Sequence, residues 1–231
     1  MRICGLNKTT LLDYPGHVAA GVFLGGCNFR CPFCQNRDLV LEPESQPAME
    51  KEEIIAFLRK RKGILTGVCI TGGEPTIEEG IEELIKKIKE IGYLVKLDTN
   101  GYRPEMIRKL TQKGLVDYIA MDIKNCMEKY GKTAGLQKLD TGRIKDSIHW
   151  IKNSGVDYEF RTTVVKELHG KKDLLAIGRQ IEGAKAYFLQ GYQEGKGVIA
   201  HGFHAYGKKE MEELAECIRP FVPNVQLRGI E

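Results

Sequence analysis

A chain of 231 residues with 42% hydrophobic and 29% charged side chains has an ordinary globular composition, which excludes a disordered tail protein and a disulfide miniprotein. Net charge is only +4, and the basic residues are interleaved with acids, as in Glu82-Glu83-Leu84-Ile85-Lys86-Lys87, so no nucleic-acid footprint is expected. No run nears the roughly 20 apolar residues of a membrane span and no secretory leader pattern opens the chain, so a cytoplasmic protein without membrane contact is expected.

In chain order, apolar runs bounded by Gly or Asp fall at 18–24, 68–70, 93–97, 118–123, 158–165, 186–189 and, more weakly, 225–227. They read as buried parallel strands, with a further short strand around Cys4. Between them, residues 51–62, 77–91, 105–113, 141–153, 171–181 and 208–219 carry the helical period, with Pro104 near one start and Gly92 just past one end. Six alternations predict an α/β fold: an incomplete (β/α)6 barrel of the TIM type, with parallel strands and outer helices, preferred over an open doubly wound sheet. With no linker-like tract and no internal repeat, residues 1–231 are expected to be one domain. The irregular pieces are the lead to His17, the loop 25–47 and the loop 125–140; the lead, through Asp13, and the last of these loops are expected to border the site.

Seven cysteines, an odd number, do not make a disulfide framework, so their spacing must carry the meaning. Cys27, Cys31 and Cys34 follow the first long strand in the spacing Cys-x3-Cys-x2-Cys and can converge on one metal centre. Structural zinc usually takes four ligands in two separated pairs, and no such second pair follows. A cubane iron-sulfur cluster held by three cysteines leaves one iron open to a ligand. A non-catalytic zinc-binding interaction protein is the alternative of another class. Cys4, Cys69 and Cys217 read as core thiols, while Cys126 enters a loop beside the site.

Three other strand ends bear chemistry. The paired glycines of Thr71-Gly72-Gly73-Glu74-Pro75 let backbone approach a ligand closely. Leu97-Asp98-Thr99-Asn100-Gly101 and Met121-Asp122-Ile123-Lys124 end apolar strands in charge. Asp122 and Lys124, two apart, face one side, where they can meet both ends of an amino-acid moiety or simply neutralise each other. Arg161 either pairs with Glu159 towards solvent or meets a ligand carboxylate or ribose, and Gln190 is a weaker case of the same kind. Lys96 shares the face of Asp98 and is read as marking an open side of the barrel.

The cysteine triplet, with Phe33 as the aromatic before the last cysteine, resembles the radical S-adenosylmethionine (SAM) superfamily. The resemblance implies that Cys27, Cys31 and Cys34 ligate a [4Fe-4S] cluster whose open iron chelates the methionyl end of SAM. It also implies an electron donor of flavodoxin or ferredoxin type, reductive cleavage to a 5′-deoxyadenosyl radical, and backbone acceptors for the SAM ammonium at Gly72, Gly73 and Glu74.

Asp-Thr-Asn-Gly at 98–101, Asp-x-Lys at 122–124 and the lead 11–36 are similar to the glycyl-radical-enzyme activases, most of all to those of anaerobic ribonucleoside-triphosphate reductase. Tyr14 departs from the Asp-Gly-Pro-Gly lead of the pyruvate formate-lyase branch. By that likeness Asp122 and Lys124 contact the methionyl group, Asn100 belongs to the SAM set, and Asp98, Thr99 and Asp122 hold a monovalent cation beside it. The partner implied is a glycyl-radical enzyme. A radical SAM enzyme acting on a small molecule, for example in deazapurine synthesis, is the alternative within the class. His201 and His204 lie in a stretch unlike the family's late histidine and receive no role.

Overall fold

Strands as apolar as Val-Cys-Ile at 68–70 bury both faces, so each must be covered by a helix as the chain crosses to the next strand. The computed structural model, which describes residues 1–230, realises this pattern. An entry pair, β1 (Ile3–Thr10) and β2 (Ala19–Leu24), leads to α1 (Arg37–Leu41), α2 (Lys51–Lys60), β3 (Gly67–Gly72), α3 (Ile81–Ile91) and β4 (Leu94–Thr99). Then come α4 (Pro104–Gln112), β5 (Tyr118–Asp122), α5 (Tyr130–Thr133), α6 (Thr141–Asn153) and β6 (Asp157–Val164). The chain ends through α7 (Lys171–Gln180), β7 (Tyr187–Gly191), α8 (Lys208–Ile218) and β8 (Val225–Arg228).

One sheet runs in the order β1 to β8; β2 through β8 are parallel and β1 is antiparallel to β2. Among the described residues β8 does not pair with β1, so the barrel stays open between these edges, as an incomplete barrel should. The helices form because their apolar stripes match the sheet. Helix α3 buries Ile81, Leu84, Ile85, Ile88 and Ile91 and ends at Gly92, whose φ of 100° only glycine adopts readily. At about 2 kcal/mol for each buried side chain, that stripe outweighs the marginal stability of a helix this short.

The structure corrects several expectations. The stretch 77–91 begins as a single 3-10 turn over Pro75–Ile77, because Pro75 and the Glu74 carboxylate, which accepts from the Thr76 amide, start a separate turn. The loops 25–47 and 125–140 hold the short helices α1 and α5. The lead 11–18 does not border the site: β1 runs downward, with Ile3 beside Leu24 and Thr10 beside Ala19, so the lead turns at the opposite end of the strands. Lys96 does not mark an open side, being only 2% exposed inside the barrel.

Candidate active site

Backbone hydrogen bonds, more than side chains, shape the cysteine loop. The Gly25 amide donates to Arg2 O at 3.0 Å and that of Gly26 to Leu39 O at 2.7 Å, which fixes the exit from β2. The loop is then clasped on two sides. From the 125–140 side, Arg30 N donates to Ala134 O at 2.9 Å. From the stretch 192–206, Ala200 N donates to Pro32 O at 2.8 Å and Ile199 N to Cys34 O at 3.1 Å. Phe29 anchors the loop from below, 2% exposed and packed on the rings of Tyr102 and Tyr130, while Phe33 lies edge-on to His169.

Gly72 and Gly73 are required where they stand. Gly73 N donates to Leu24 O at 2.9 Å and Glu74 N to Gly26 O at 2.8 Å, so the two loops touch backbone to backbone. The buried Glu74 carboxylate then braces the third loop, accepting from Thr76 N at 3.1 Å, Thr99 Oγ1 at 2.7 Å and Asn100 N at 2.6 Å, and from the Thr76 hydroxyl. Burial raises the Glu74 carboxyl above its ordinary value against these donors. Asn100 is oriented by the Tyr102 amide on its Oδ1 and points its own amide at Asn28 Oδ1, 2.8 Å away, beside Cys27.

Below the cysteines lies a buried ion network. Lys124 donates to Asp122 Oδ2 at 3.1 Å, Arg161 Nε to Asp122 Oδ1 at 2.8 Å, and Arg161 Nη1 approaches Asp98 Oδ2 at 3.5 Å. Lys96 completes it by donating to Asp98 Oδ1. Burial works against the charge of Asp122, yet Arg161 and Lys124 prevail and hold its carboxyl down at about 2. Burial opposes the Lys124 ammonium too, and Asp122, Cys31 and Cys34 raise it overall. Glu159 is not the partner of Arg161: its buried carboxylate takes Arg228 at 2.8 and 2.9 Å and the Tyr118 hydroxyl at 3.0 Å.

These pieces enclose a cavity of about 230 Å³. Cys27, Cys31, Phe33, Cys34, Gly72, Gly73, Glu74, Asp98, Thr99, Asn100, Asp122, Lys124 and Arg161 all line it, so every residue singled out for cluster or cofactor from the sequence meets at one place. Gln190, His201 and His204 do not. The two histidines instead pair with Glu194 and Glu167 on the outer side of the 192–206 stretch. Sequence reasoning gave no role to that stretch, which holds no regular element, or to Asn36 by itself, whose amide donates to Gly72 O at 2.9 Å. Its place two residues after the last cysteine of the triplet was the signal available.

The donor set fits an iron-sulfur cluster. All three thiols are free, and burial pushes Cys27 up to about 12 and Cys31 up to about 11, so a metal centre must displace protons from them. The Asn28 amide nitrogen is buried beside Cys27 without a partner among the described residues, a donor ready for a charged sulfur. Among the described residues no three of His, Cys, Asp and Glu converge as ligands of one ion would. A cubane, whose cysteine-bound irons stand apart, does not ask that of them.

Residues 22–172 match the profile of the radical SAM superfamily. A Methanocaldococcus jannaschii protein named "Putative glycyl-radical enzyme activating enzyme" is 32% identical over 99% of this chain and 96% of its own. The 7-carboxy-7-deazaguanine synthase of Thermococcus kodakarensis is 27% identical over 75% of this chain and 79% of its own. Among solved structures, Streptococcus suis SuiB bound to S-adenosylmethionine superposes with a TM-score of 0.70 at 16% identity, covering 90% of this chain. This chain spans about half of SuiB, 51% of its length. The zinc-binding alternative falls with the profile match, because the cysteines at fault lie inside it. The thiol triplet, the glycine shelf and the two charged strand ends thus sit together in the fold that uses a [4Fe-4S] cluster and SAM, and the chain belongs to the radical SAM superfamily.

Proposed function

We propose that this radical SAM enzyme generates a glycyl radical on a partner enzyme of the anaerobic ribonucleoside-triphosphate reductase kind. The observation that carries the reading is the near full-length match to the M. jannaschii protein, 32% identical over 99% of this chain. The cavity supports it, since Asp-Thr-Asn-Gly and Asp-x-Lys, the pairs that resemble the activases, line it together. When bound, the cluster and SAM supply one-electron cleavage and a radical that abstracts hydrogen.

In this reading residues 1–231 work as one radical SAM domain, and its own residues do the rest. Cys27, Cys31 and Cys34 hold the cluster. Lys124 and Arg161, each with donors in the cavity, bind the α-carboxylate of SAM, and the backbone oxygens of 72–74 accept from its ammonium. Phe33, 5% exposed and lining the cavity, keeps water from the reacting carbon. The side left open between β1 and β8 suits a large substrate that offers one peptide loop. Reduction falls to a flavodoxin or ferredoxin-type donor.

The test mixes the anaerobically reconstituted protein, a reductant, SAM and an anaerobic ribonucleotide reductase. A doublet glycyl radical by electron paramagnetic resonance is expected, with deuterium from the target glycine Cα recovered in 5′-deoxyadenosine. The likeness to the deazaguanine synthase, over 75% of this chain, favours a second reading, action on a small molecule. Deoxyadenosine formed with no radical on the reductase, or labelled only from a small molecule, would establish that reading instead.

A further inference from the structure

We propose that Lys96 is a built-in counter-cation of the pocket, and that SAM binding here proceeds without the monovalent metal ion that the resemblance implied at Asp98, Thr99 and Asp122. The inference rests on reading the cavity as the SAM site. A lysine that is 2% exposed inside a barrel demands a partner, because an unpaired buried ammonium is very costly. Its partner is Asp98, two residues on along β4 and on the same face. Among the described residues the one other hydrogen-bond partner of the ammonium is the Cys69 thiol, at 3.9 Å.

The acceptors a metal ion would need are already engaged. Asp98 is held by Lys96 and Arg161, and Asp122 by Arg161 and Lys124. Thr99 stands on the other face of β4, where its hydroxyl donates to Glu74 at 2.7 Å and accepts from the Gly101 amide at 3.1 Å. Glu74, which also lines the cavity, has its oxygens taken by Thr76, Thr99 and Asn100.

Two carboxylates, Asp98 and Asp122, therefore face three fixed cations, Lys96, Lys124 and Arg161. Each of their four oxygens already has a cationic partner. A further cation would have to share or displace one of those partners, whereas the α-carboxylate of a ligand adds an acceptor for Lys124 and Arg161. Lys96 also leaves Arg161 less bound to Asp98, whose distance of 3.5 Å is long beside the 2.8 Å to Asp122. Lys96 is thus a positioning residue, acting on the ligand through Asp98 and Arg161.

The test measures SAM affinity of the reconstituted protein by calorimetry in sodium, potassium and tetramethylammonium chloride at equal ionic strength. The wild type is expected to stay within about twofold across the three salts, since the bulky cation cannot enter the site. Lys96→Ala is expected to bind SAM about tenfold more weakly in tetramethylammonium, with most of the loss restored by potassium, sodium or ethylammonium. Wild-type affinity that collapses when alkali ions are withdrawn would overturn the inference, and so would Lys96→Ala binding as wild type in tetramethylammonium. Should that variant fail to fold, the wild-type salt series decides by itself. A wild type that binds no SAM in any salt removes the SAM reading as well, whereas salt dependence removes this inference alone.

Discussion

Replacing Gly73 with alanine would set a methyl carbon 1.9 Å from the Gly26 carbonyl oxygen and 2.7 Å from its carbon, where real Cβ atoms essentially never come within 3.0 Å. Both atoms are backbone and cannot rotate away, so the β3 loop and the cysteine loop must part by about an ångström. The hydrogen bond from Glu74 N to Gly26 O, 2.8 Å long, lies in the path of that shift. The cost should reach the upper part of the overpacking range, about 3 kcal/mol. In a chain of this size that lowers the melting temperature by roughly 6–12 °C.

Gly16→Ala is the comparison: φ is 77° there, and nothing lies within 4 Å of the added carbon, so only backbone strain of about 1 kcal/mol is expected. Because the Cys27 amide is 3.4 Å from the new methyl group, Gly73→Ala should also weaken SAM binding, by up to about 100-fold if the displacement reaches an ångström. Circular-dichroism melts of the three metal-free proteins, followed by SAM titration after reconstitution, read both effects. A Gly73→Ala protein that melts no lower than Gly16→Ala would refute the argument that backbone contact joins the two loops.

Four further outcomes are expected. Cys27→Ala, Cys31→Ala and Cys34→Ala should each abolish the visible absorbance of the reconstituted cluster, while Cys217→Ser, whose thiol only caps Glu213 O at 3.2 Å, should retain it. Asp122→Ala should weaken SAM binding in calorimetry with iron content unchanged, since it lies one layer beyond the ligands; unchanged affinity would remove it from the site. Arg228→Met leaves the buried Glu159 carboxylate with only the Tyr118 hydroxyl, and urea unfolding should show a loss of about 3 kcal/mol, against well under 1 kcal/mol if the pair were a surface ornament. His169 accepts from Val165 N at 3.0 Å and donates to Lys124 O at 2.7 Å, and burial holds its imidazole below the ordinary 6.5. The ring is neutral in both states above that value; as pH falls below it the unfolded chain binds the proton first, so stability declines until the lower folded value is reached. Denaturation at pH 7.5 and 5.5 should show this decline, flattened in His169→Gln.

Much of the candidate site was legible because its chemistry is local. Cys27, Cys31 and Cys34 sit within one loop, Asp122 and Lys124 share a face by the two-residue period of a strand, and Gly72-Gly73 follows an apolar run. Glu74 was legible as a member of the shelf, but its use was not: its carboxylate braces Thr76, Thr99 and Asn100, and Thr99 lies 25 positions away. Lys96 was legible as sharing the face of Asp98, but not as a buried group, because the further partner of Asp98, Arg161, lies on another strand. The clasp of 192–206 on the cysteine loop is made by backbone groups, which no side-chain pattern records.

The amino-acid order by itself determined the alternation of strand and helix, the open barrel and the place of the cysteine triplet at a strand end, since each follows from local patterns: apolar runs for buried strands, a 3.6-residue period for helices and the three-to-four-residue spacing of the thiols. Only the tertiary structure decided which charges meet. Arg161 could choose Glu159, two residues away on its own face, but the register that sets Asp122 beside Arg161 and Arg228 within reach of Glu159 gave each a nearer partner. Likewise the downward run of β1 carried Asp13 and the lead away from the site. In a buried network a charge settles with the opposite charge that leaves fewest groups unpaired, and that sum runs over strands far apart in the chain.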